Sequence, residues 1–154
     1  GIAVPTTWAE VTDAARQLKA GGMEMPIVYE FNQELPNFFD AFVAQVYGRG
    51  GDLFDENGEA IFDDPENAAF QQLAWLRDMI AEGLVAFESH ESTVIPAMNT
   101  GNHAFTIVYN YVLAAMNNAA EQSRAGGIAA VSISRLVVFF RQVERFSGVR
   151  RADH

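Results

Sequence analysis

Two short stretches of the chain combine residue types that suit sugar recognition. The first runs from Tyr29 to Asp40 and mixes carboxylates, amides and aromatic rings, and the second is the run Tyr109-Asn110-Tyr111. Aromatic faces stack on the C–H-rich faces of sugar rings, while amide and carboxylate oxygens accept hydrogen bonds from hydroxyls. The candidate ligand-binding residues are therefore Glu30, Asn32, Glu34, Asn37, Phe38, Asp40, Tyr109, Asn110 and Tyr111.

Core packing is the competing explanation for the aromatic residues in these stretches. Phe38, Phe42 and Val46 recur at helical spacing, which is typical of a buried helix face. We therefore expect Phe42 and one residue of the Phe38-Phe39 pair to lie in the core. For residues 109–111 the sequence supports core packing and ligand binding equally.

Other kinds of site find less support. Acidic residues concentrate between positions 52 and 66, but their spacing lacks the ligand and glycine pattern of an EF-hand, so a solvated hairpin is expected. The three histidines are His90, His103 and His154, and their spacing does not match a metal-binding motif. Neither a metal site nor a cofactor is therefore expected. A carbohydrate hydrolase with paired carboxylates stays open as an alternative, because the chain is rich in carboxylates.

Strand-to-helix junctions must position both candidate stretches. Residues 26–31 form a short β-type run, and a helix is predicted from about residue 37 to the glycines at 48–51. Residues 103–109 predict a second strand, with a helix over 111–122 after it. Ligands of open α/β sheets bind outside the carboxyl ends of the strands, so both stretches occupy the expected place.

The remaining pattern alternates helices with short strands. Thr7 and Glu10 form a capping box that begins a helix ending at Gly21-Gly22. Asn57-Gly58 between apolar pairs predicts a hairpin. The other predicted elements are a helix from Asp64-Pro65 to Glu82 with Phe70, Leu73, Leu76 or Arg77, and Ile80 near one face, a helix over 92–99, a strand over 128–133 and an amphipathic helix over 135–146. This pattern indicates an α/β or α+β layered domain.

Composition excludes several classes of function. The formal net charge of -10 argues against a nucleic-acid binder and against docking on an anionic membrane. Because the chain has no cysteine, disulfides, thiol catalysis and cysteine metal sites are excluded. No apolar run approaches the roughly 20 residues of a membrane-spanning helix. The charge is uneven, since residues 1–131 hold 18 acidic and 5 basic side chains and residues 132–154 hold 2 and 5.

An ordered series of short motifs runs through the first 131 residues. Its members are Pro5-Thr6-Thr7-Trp8-Ala9-Glu10, Ala14-Ala15-Arg16-Gln17-Leu18-Lys19, the run from Gly50 to Gly58, the run from Phe70 to Gly83 and the run from Ala97 to Ile107. Taken together, this series resembles the second lobe of the extracellular solute-binding proteins of ABC sugar importers, the maltose-binding-protein-like family 1. The resemblance covers about residues 4–131.

The resemblance implies an α/β fold, namely one incomplete lobe of a type II periplasmic-binding-protein fold with helices around a small mixed sheet. In this family two lobes close on a ligand and deliver it to a membrane permease. The implied partners are thus a sugar and an ABC-transporter permease, without nucleic acid, and the implied location is the periplasm or the cell exterior. The family is not enzymatic. By position, Tyr111 stands where the family places a stacking aromatic residue, and residues 30–40 match its ligand-contacting loop.

The sequence departs from the family after Val131. We therefore divide the chain into a second-lobe-like α/β domain over residues 1–131 and an unmatched basic amphipathic tail over 132–154. No secretory signal opens the chain, which starts at Gly1, so a processed or excised product is expected. With one lobe, sugar binding by the chain alone should be weak or absent. Exposed lobe surface and residues 134–146 are expected to support a homo-oligomer, and an interaction module assembled through a helical tail is a further alternative.

Overall fold

The structure is a computed structural model that describes residues 2–32, 34, 37–108, 112, 115, 128–133 and 136–141. Helices and strands alternate over most of this range. The elements in chain order are α1 (Trp8–Ala20), β1 (Ile27–Glu30), α2 (Asn37–Gly48), α3 (Ala68–Ala81), β2 (Val85–Glu88), α4 (Glu91–Thr100), β3 (Phe105–Ile107), β4 (Ile128–Ile133) and β5 (Leu136–Arg141).

The strands form one mixed five-stranded sheet in the order β2-β1-β3-β5-β4. β1 pairs in parallel with β2 and β3, and β5 is antiparallel to both β3 and β4. All four residues of β1 are buried, as expected for a parallel strand covered on both faces. The small mixed sheet is confirmed, although the sequence analysis missed β2 because its apolar run is only four residues long.

Helix α1 begins with the predicted capping box. The Glu10 amide donates to the Thr7 hydroxyl at 3.2 Å, and the Thr7 amide donates to the Glu10 carboxylate at 3.1 Å. The pKa of the Glu10 carboxyl is lowered, chiefly because it also accepts from the Thr6 amide. Trp8, Val11 and Leu18, which recur at helical spacing, face one side of the sheet with Ile27 and Tyr29 of β1.

Helices α2 and α3 pack against each other beside this first core. Their contact is lined by Phe42 and Val46 of α2 and by Ala68 and Ala69 of α3. Gly51 allows the close approach, because a Cβ at this position would overlap the Ala68 methyl group. The predicted core role of Phe42 is confirmed, since this side chain is buried.

The start and the buried face of α3 differ from the sequence prediction. Asn67, not Asp64, caps the helix by accepting from the Ala69 amide at 2.7 Å, while Asp64 holds the Glu66 amide of the preceding turn. The buried residues are Ala68, Ala69, Gln72, Leu76 and Met79, whereas Phe70, Leu73 and Ile80 are 40–49% exposed. The reason is that a hydrogen bond from Gln72 to α2 turns this polar residue inward.

Helix α4 covers the opposite face of the sheet. Val94 and Met98 pack there on Val28 of β1 and on Val112. The helix ends at Gly101, whose φ of 82° closes the last turn in the left-handed region that glycine adopts without strain. Helices on both faces make a three-layer α/β/α arrangement. Within the described ranges, no helix is long and apolar enough to cross a membrane.

The tail does not form the amphipathic helix predicted over residues 135–146. Residues 136–141 are strand β5, which pairs with β3 and with all six residues of β4. The run Leu136-Val137-Val138-Phe139-Phe140 is rich in β-branched and aromatic residues, and such short apolar runs fit a helix face and a strand equally well by spacing. Pairing with two neighbouring strands decides in favour of the strand.

Candidate functional site

The loop after β1 is the part of the predicted site that the structure describes best. Glu30 ends the strand and is buried, while Asn32 is half-buried two residues further on. The Asn32 side-chain oxygen accepts from the Glu34 amide at 2.9 Å, an Asx-type turn that leads the chain away from the sheet. The Glu34 side chain is exposed. A carboxylate and an amide thus follow a buried parallel strand, the place where ligands of α/β sheets bind.

Aromatic rings pack together at the same edge of the sheet. The ring centroids of Phe31 and Phe38 lie 4.5 Å apart, those of Tyr29 and Phe38 lie 6.0 Å apart, and those of Phe31 and Phe87 lie 5.3 Å apart. Phe31 lies in the first candidate stretch but was not among the candidate ligand-binding residues, and Phe87 lies outside both stretches. The apolar run after Gly83 could have been predicted as a strand parallel to β1. The carboxyl ends of the two strands would then lie side by side, which places Phe87 next to the end of β1.

The start of α2 contributes Phe38 and Asp40. Phe38 is half-buried and packs on the core of α1 and β1, whereas Phe39 is 58% exposed. One member of the pair is therefore a core residue, as expected. Asp40 lies exposed in the first turn of α2, where the helix dipole stabilises its negative charge.

The remaining predicted residues lie outside the described part of the chain. These are Tyr109, Asn110 and Tyr111, and, for its side chain, Asn37. Their roles stay predictions. The structure therefore brings Glu30, Asn32 and Phe38 to one edge of the sheet and leaves the second stretch untested.

A buried chain of amide side chains anchors the strand that carries the site. The Gln45 side-chain amide donates to the Tyr29 hydroxyl and, at 2.9 Å, to the Ala41 carbonyl. Gln72 of α3 donates in turn to the Gln45 side-chain oxygen and accepts from the Arg49 guanidinium. Gln45, Gln72 and Tyr29 are at most 1% exposed. This polar chain ties α2 and α3 to the residue that directly precedes Glu30.

Burial sets the electrostatics of the same chain. It raises the pKa of the Tyr29 hydroxyl, so this group stays protonated, and it lowers the pKa of the Arg49 guanidinium. Arg49 also lies over the Trp8 ring at 5.0 Å from the centroid, a cation–π contact that compensates part of its desolvation. These groups stabilise the scaffold and do not reach the exposed edge.

Two carboxylates occupy neighbouring strand ends at this edge. Glu30 and Glu88 are Cα partners in the parallel register of β1 and β2.

A third carboxylate, Asp55, lies in the predicted hairpin. It accepts from the amides of Glu59 and Asn57 at 2.8 Å, and these hydrogen bonds lower the pKa of its carboxyl. No group of three or more metal-ligating side chains occurs among the described residues.

A cavity lies at the opposite edge of the sheet. It has a volume of about 410 Å³ and is lined by residues 22–25 and 101–103, which precede β1 and β3. His103 Nδ1 lies 2.7 Å from the Met25 carbonyl and donates to it, which joins the two turns. This cavity is open and faces away from the carboxyl ends of the parallel strands, so it is separate from the predicted ligand edge.

Comparison with known proteins defines the class of this fold. The structure of maltose-bound MalE3 from T. maritima matches with a TM-score of 0.69 at 18% identity, over 91% of this chain and 39% of that one. The fold is therefore part of a periplasmic-binding-protein fold. The sequence profile of the bacterial extracellular solute-binding proteins matches residues 1–131, and the chain belongs to that family.

The extent of these matches bears on the tail. The chain spans about two fifths of the length of MalE3. The structural match covers 91% of the chain, which is more residues than the 131 that the sequence profile matches. It therefore includes part of residues 132–154. The comparison with curated proteins gives no match. The division into two regions at residue 131 stays a prediction.

Proposed function

We propose that this chain is the sugar-binding second lobe of a solute-binding protein that serves an ABC importer. The observation that carries the proposal is the grouping of Glu30, Asn32 and the Phe31 and Phe38 rings at the carboxyl end of a parallel strand. Membership of the solute-binding family supports capture without catalysis. The maltose bound to MalE3 supports a sugar as the solute.

The mechanism is capture in a cleft between two lobes. In a complete protein, a ligand that contacts both lobes shifts the population toward the closed form. This chain supplies the contacts of one lobe, so half of the binding surface is missing. We therefore expect a dissociation constant on the order of millimolar for the chain alone. The partner that receives the sugar is a membrane permease, and the place of action is the periplasm or the cell exterior.

A titration with maltose tests this proposal. Amide chemical shifts of the labelled chain are followed as maltose is added, and saturable shifts are expected around residues 30–40. Glu34→Gln should weaken binding severalfold, because the variant replaces an exposed carboxylate beside the strand end. Glu56→Gln is the matched control, since Glu56 is also an exposed carboxylate and lies in the turn of residues 55–58. Micromolar affinity of the monomer, or no saturable shift at all, contradicts the proposal.

The same experiment separates binding from hydrolysis. A hydrolase with paired carboxylates releases new reducing ends during the titration, and Glu34→Gln or Asp40→Asn abolishes that release. A binding protein returns the sugar unchanged. We expect unchanged maltose, because the family to which the chain belongs captures solutes.

Self-association is a second part of the proposal. Phe70, Leu73 and Ile80 form an exposed apolar face on α3, and a second copy of the chain is the proposed occupant. Light scattering at rising concentration should show growth in mass, and Leu73→Ser combined with Ile80→Ser should reduce it. A monomer at all concentrations contradicts this part and leaves sugar binding unaffected.

A further inference from the structure

The dipeptide Asn57-Gly58 carries a reactive side chain that sugar binding does not use. Of the nine asparagines in the chain, Asn57 is the one that glycine follows. Both residues are exposed in the turn of the hairpin, where Gly58 has a φ of 82°. No atom of the described residues lies within 4 Å of the point that a Cβ on Gly58 would occupy. Solvent therefore reaches this dipeptide without hindrance from the described side chains.

An asparagine that precedes glycine can lose its side-chain amide without an enzyme, and asparagine is thermolabile for this reason. The Gly58 main-chain nitrogen gives up its proton and attacks Cγ of Asn57, the Cγ–Nδ2 bond breaks, and Nδ2 leaves as ammonia. The resulting succinimide ring takes up one water molecule and opens at either of its two C–N bonds. The products are aspartate and isoaspartate. Glycine favours ring closure because it has no Cβ to hinder the attack.

Hydrogen bonds to Asp55 oppose this reaction in the folded chain. The Asn57 side-chain nitrogen donates to Asp55 Oδ2 at 3.3 Å, and the Asn57 amide donates to Asp55 Oδ1 at 2.8 Å. These two bonds hold Asn57 in an Asx-type turn. The Gly58 amide donates to the Asp55 carbonyl at 3.0 Å, and this bond holds the proton that must leave before the attack. The turn must therefore open before Asn57 reacts.

We propose that Asn57 is a site of spontaneous deamidation and that Asp55 is the residue that restrains the reaction. Conversion to aspartate places a further negative charge beside the Asp55 carboxylate, and conversion to isoaspartate adds a carbon atom to the main chain of the turn. Either product weakens the turn that joins Phe54 to Ala60, the two residues of the β-bridge in this hairpin.

The effect of the modification should stay within the hairpin. Leu53 at its base is buried in the contact of α2 and α3, and the Asn67 side chain donates to the Asp52 carbonyl at 3.1 Å. These contacts do not involve the residues that react. None of the candidate ligand-binding residues takes part either, so the proposal does not depend on the sugar-binding function.

The test follows residue 57 of the whole chain during incubation, in the folded state and in urea. Peptide mass spectrometry measures the loss of the amide, and methylation by an isoaspartate methyltransferase measures isoaspartate. Asp55→Ala and Asp55→Asn are incubated in the folded state. Asp63→Ala is the matched control, because Asp63 is an exposed aspartate just after the hairpin. Gly58→Ala, incubated in urea, tests the attack itself without any requirement for folding.

We expect residue 57 to convert in the folded chain and to convert at least about fivefold faster in urea, where the hydrogen bonds of the turn are absent. The rate should rise with pH, because the attacking nitrogen must lose its proton. Asp55→Ala should approach the rate in urea. Asp55→Asn, which keeps a side-chain oxygen as acceptor, and Asp63→Ala should stay near the rate of the unmodified chain.

The two parts of the proposal fail on different results. Equal rates for the folded chain and the chain in urea, or an unchanged rate in Asp55→Ala, overturn the restraint by Asp55. Absence of aspartate and isoaspartate at position 57 from either sample of the unmodified chain overturns the modification site. An undiminished rate in Gly58→Ala also overturns it, because the methyl group should hinder the attack.

Discussion

Replacing Gln72 with alanine should destabilise the chain more than replacing its neighbour Gln71. Gln72 is 1% exposed, donates to the Gln45 side chain and accepts from Arg49. Gln71 lies on the exposed side of the same helix and makes one 3.3 Å bond to the Glu66 carbonyl. The two substitutions remove the same atoms from adjacent positions, so helix propensity is equal in both.

The magnitude follows from the groups left without partners. Gln72→Ala leaves the Gln45 oxygen buried with no donor, which costs about 1–3 kcal/mol. Arg49 loses an acceptor as well, but it is half-buried and regains part of the bond from water. A total near 3 kcal/mol lowers the melting temperature of a domain of this size by about 6–12 °C. Gln71→Ala should change stability by less than about 0.5 kcal/mol.

Urea unfolding followed by tryptophan fluorescence measures both variants. A double-mutant cycle with Gln45→Ala adds a direct measure of coupling, and the two losses should be non-additive by more than about 0.5 kcal/mol. Equal stability of the Gln71 and Gln72 variants would refute the reasoning, since it would mean that the buried amide chain makes no net contribution. Additive losses would show that Gln45 and Gln72 do not act as one network.

Three further predictions concern packing, burial and charge. Gly51→Ala should destabilise by about 1–3 kcal/mol in thermal unfolding, because its Cβ overlaps the Ala68 methyl at the contact of α2 and α3; an unchanged melting temperature would contradict the close approach. Thr106→Val should stabilise by about 1 kcal/mol, because the buried Thr106 hydroxyl has no hydrogen-bond partner in the described structure; a loss of stability would show that the hydroxyl is paired. The Arg16 guanidinium donates to Glu82 and holds the pKa of that carboxyl below its ordinary value. The ion pair therefore contributes stability at pH values above the ordinary pKa of the carboxyl, and this contribution is lost as the pH falls through the lowered pKa. Unfolding curves measured down to about pH 3 should accordingly show that the free energy of unfolding falls less in Glu82→Gln than in the unmodified chain. An equal fall in the variant and in the unmodified chain would contradict the pairing.

Local signals in the sequence predicted much of the described fold. The capping box of Thr7 and Glu10 contains both of its hydrogen bonds, and the helix spacing of Phe38, Phe42 and Val46 matches α2. These elements could be predicted because the interactions that begin them are made by residues a few positions apart. The start of α3 was misplaced because Asp64 and Asn67 are both good caps; Asn67, whose side chain also donates to the distant Asp52 carbonyl, is the one that caps the helix.

The grouping of residues at the end of β1 was predictable for a similar reason. Glu30, Asn32 and Phe38 lie near one another in the chain, and one strand-to-helix junction brings them together. Phe87 was missed because it reaches the site through the pairing of β2 with β1, over more than fifty residues of chain. Pairing between distant strands leaves no local spacing signal, so the neighbours of Phe87 could be predicted only after its run was recognised as a parallel strand.

By itself, the sequence determined the family, the alternation of helices and strands, the strand-to-helix junction that brings Glu30, Asn32 and Phe38 together, and the excess of acidic charge. These features depend on residue type and short-range spacing. Only the tertiary structure decided which face of α3 is buried, which amides form the chain from Tyr29 to Gln72, and that residues 136–141 are a strand. Each of these depends on partners far away in the chain, because burial and strand pairing supply the free energy that selects among locally equivalent alternatives.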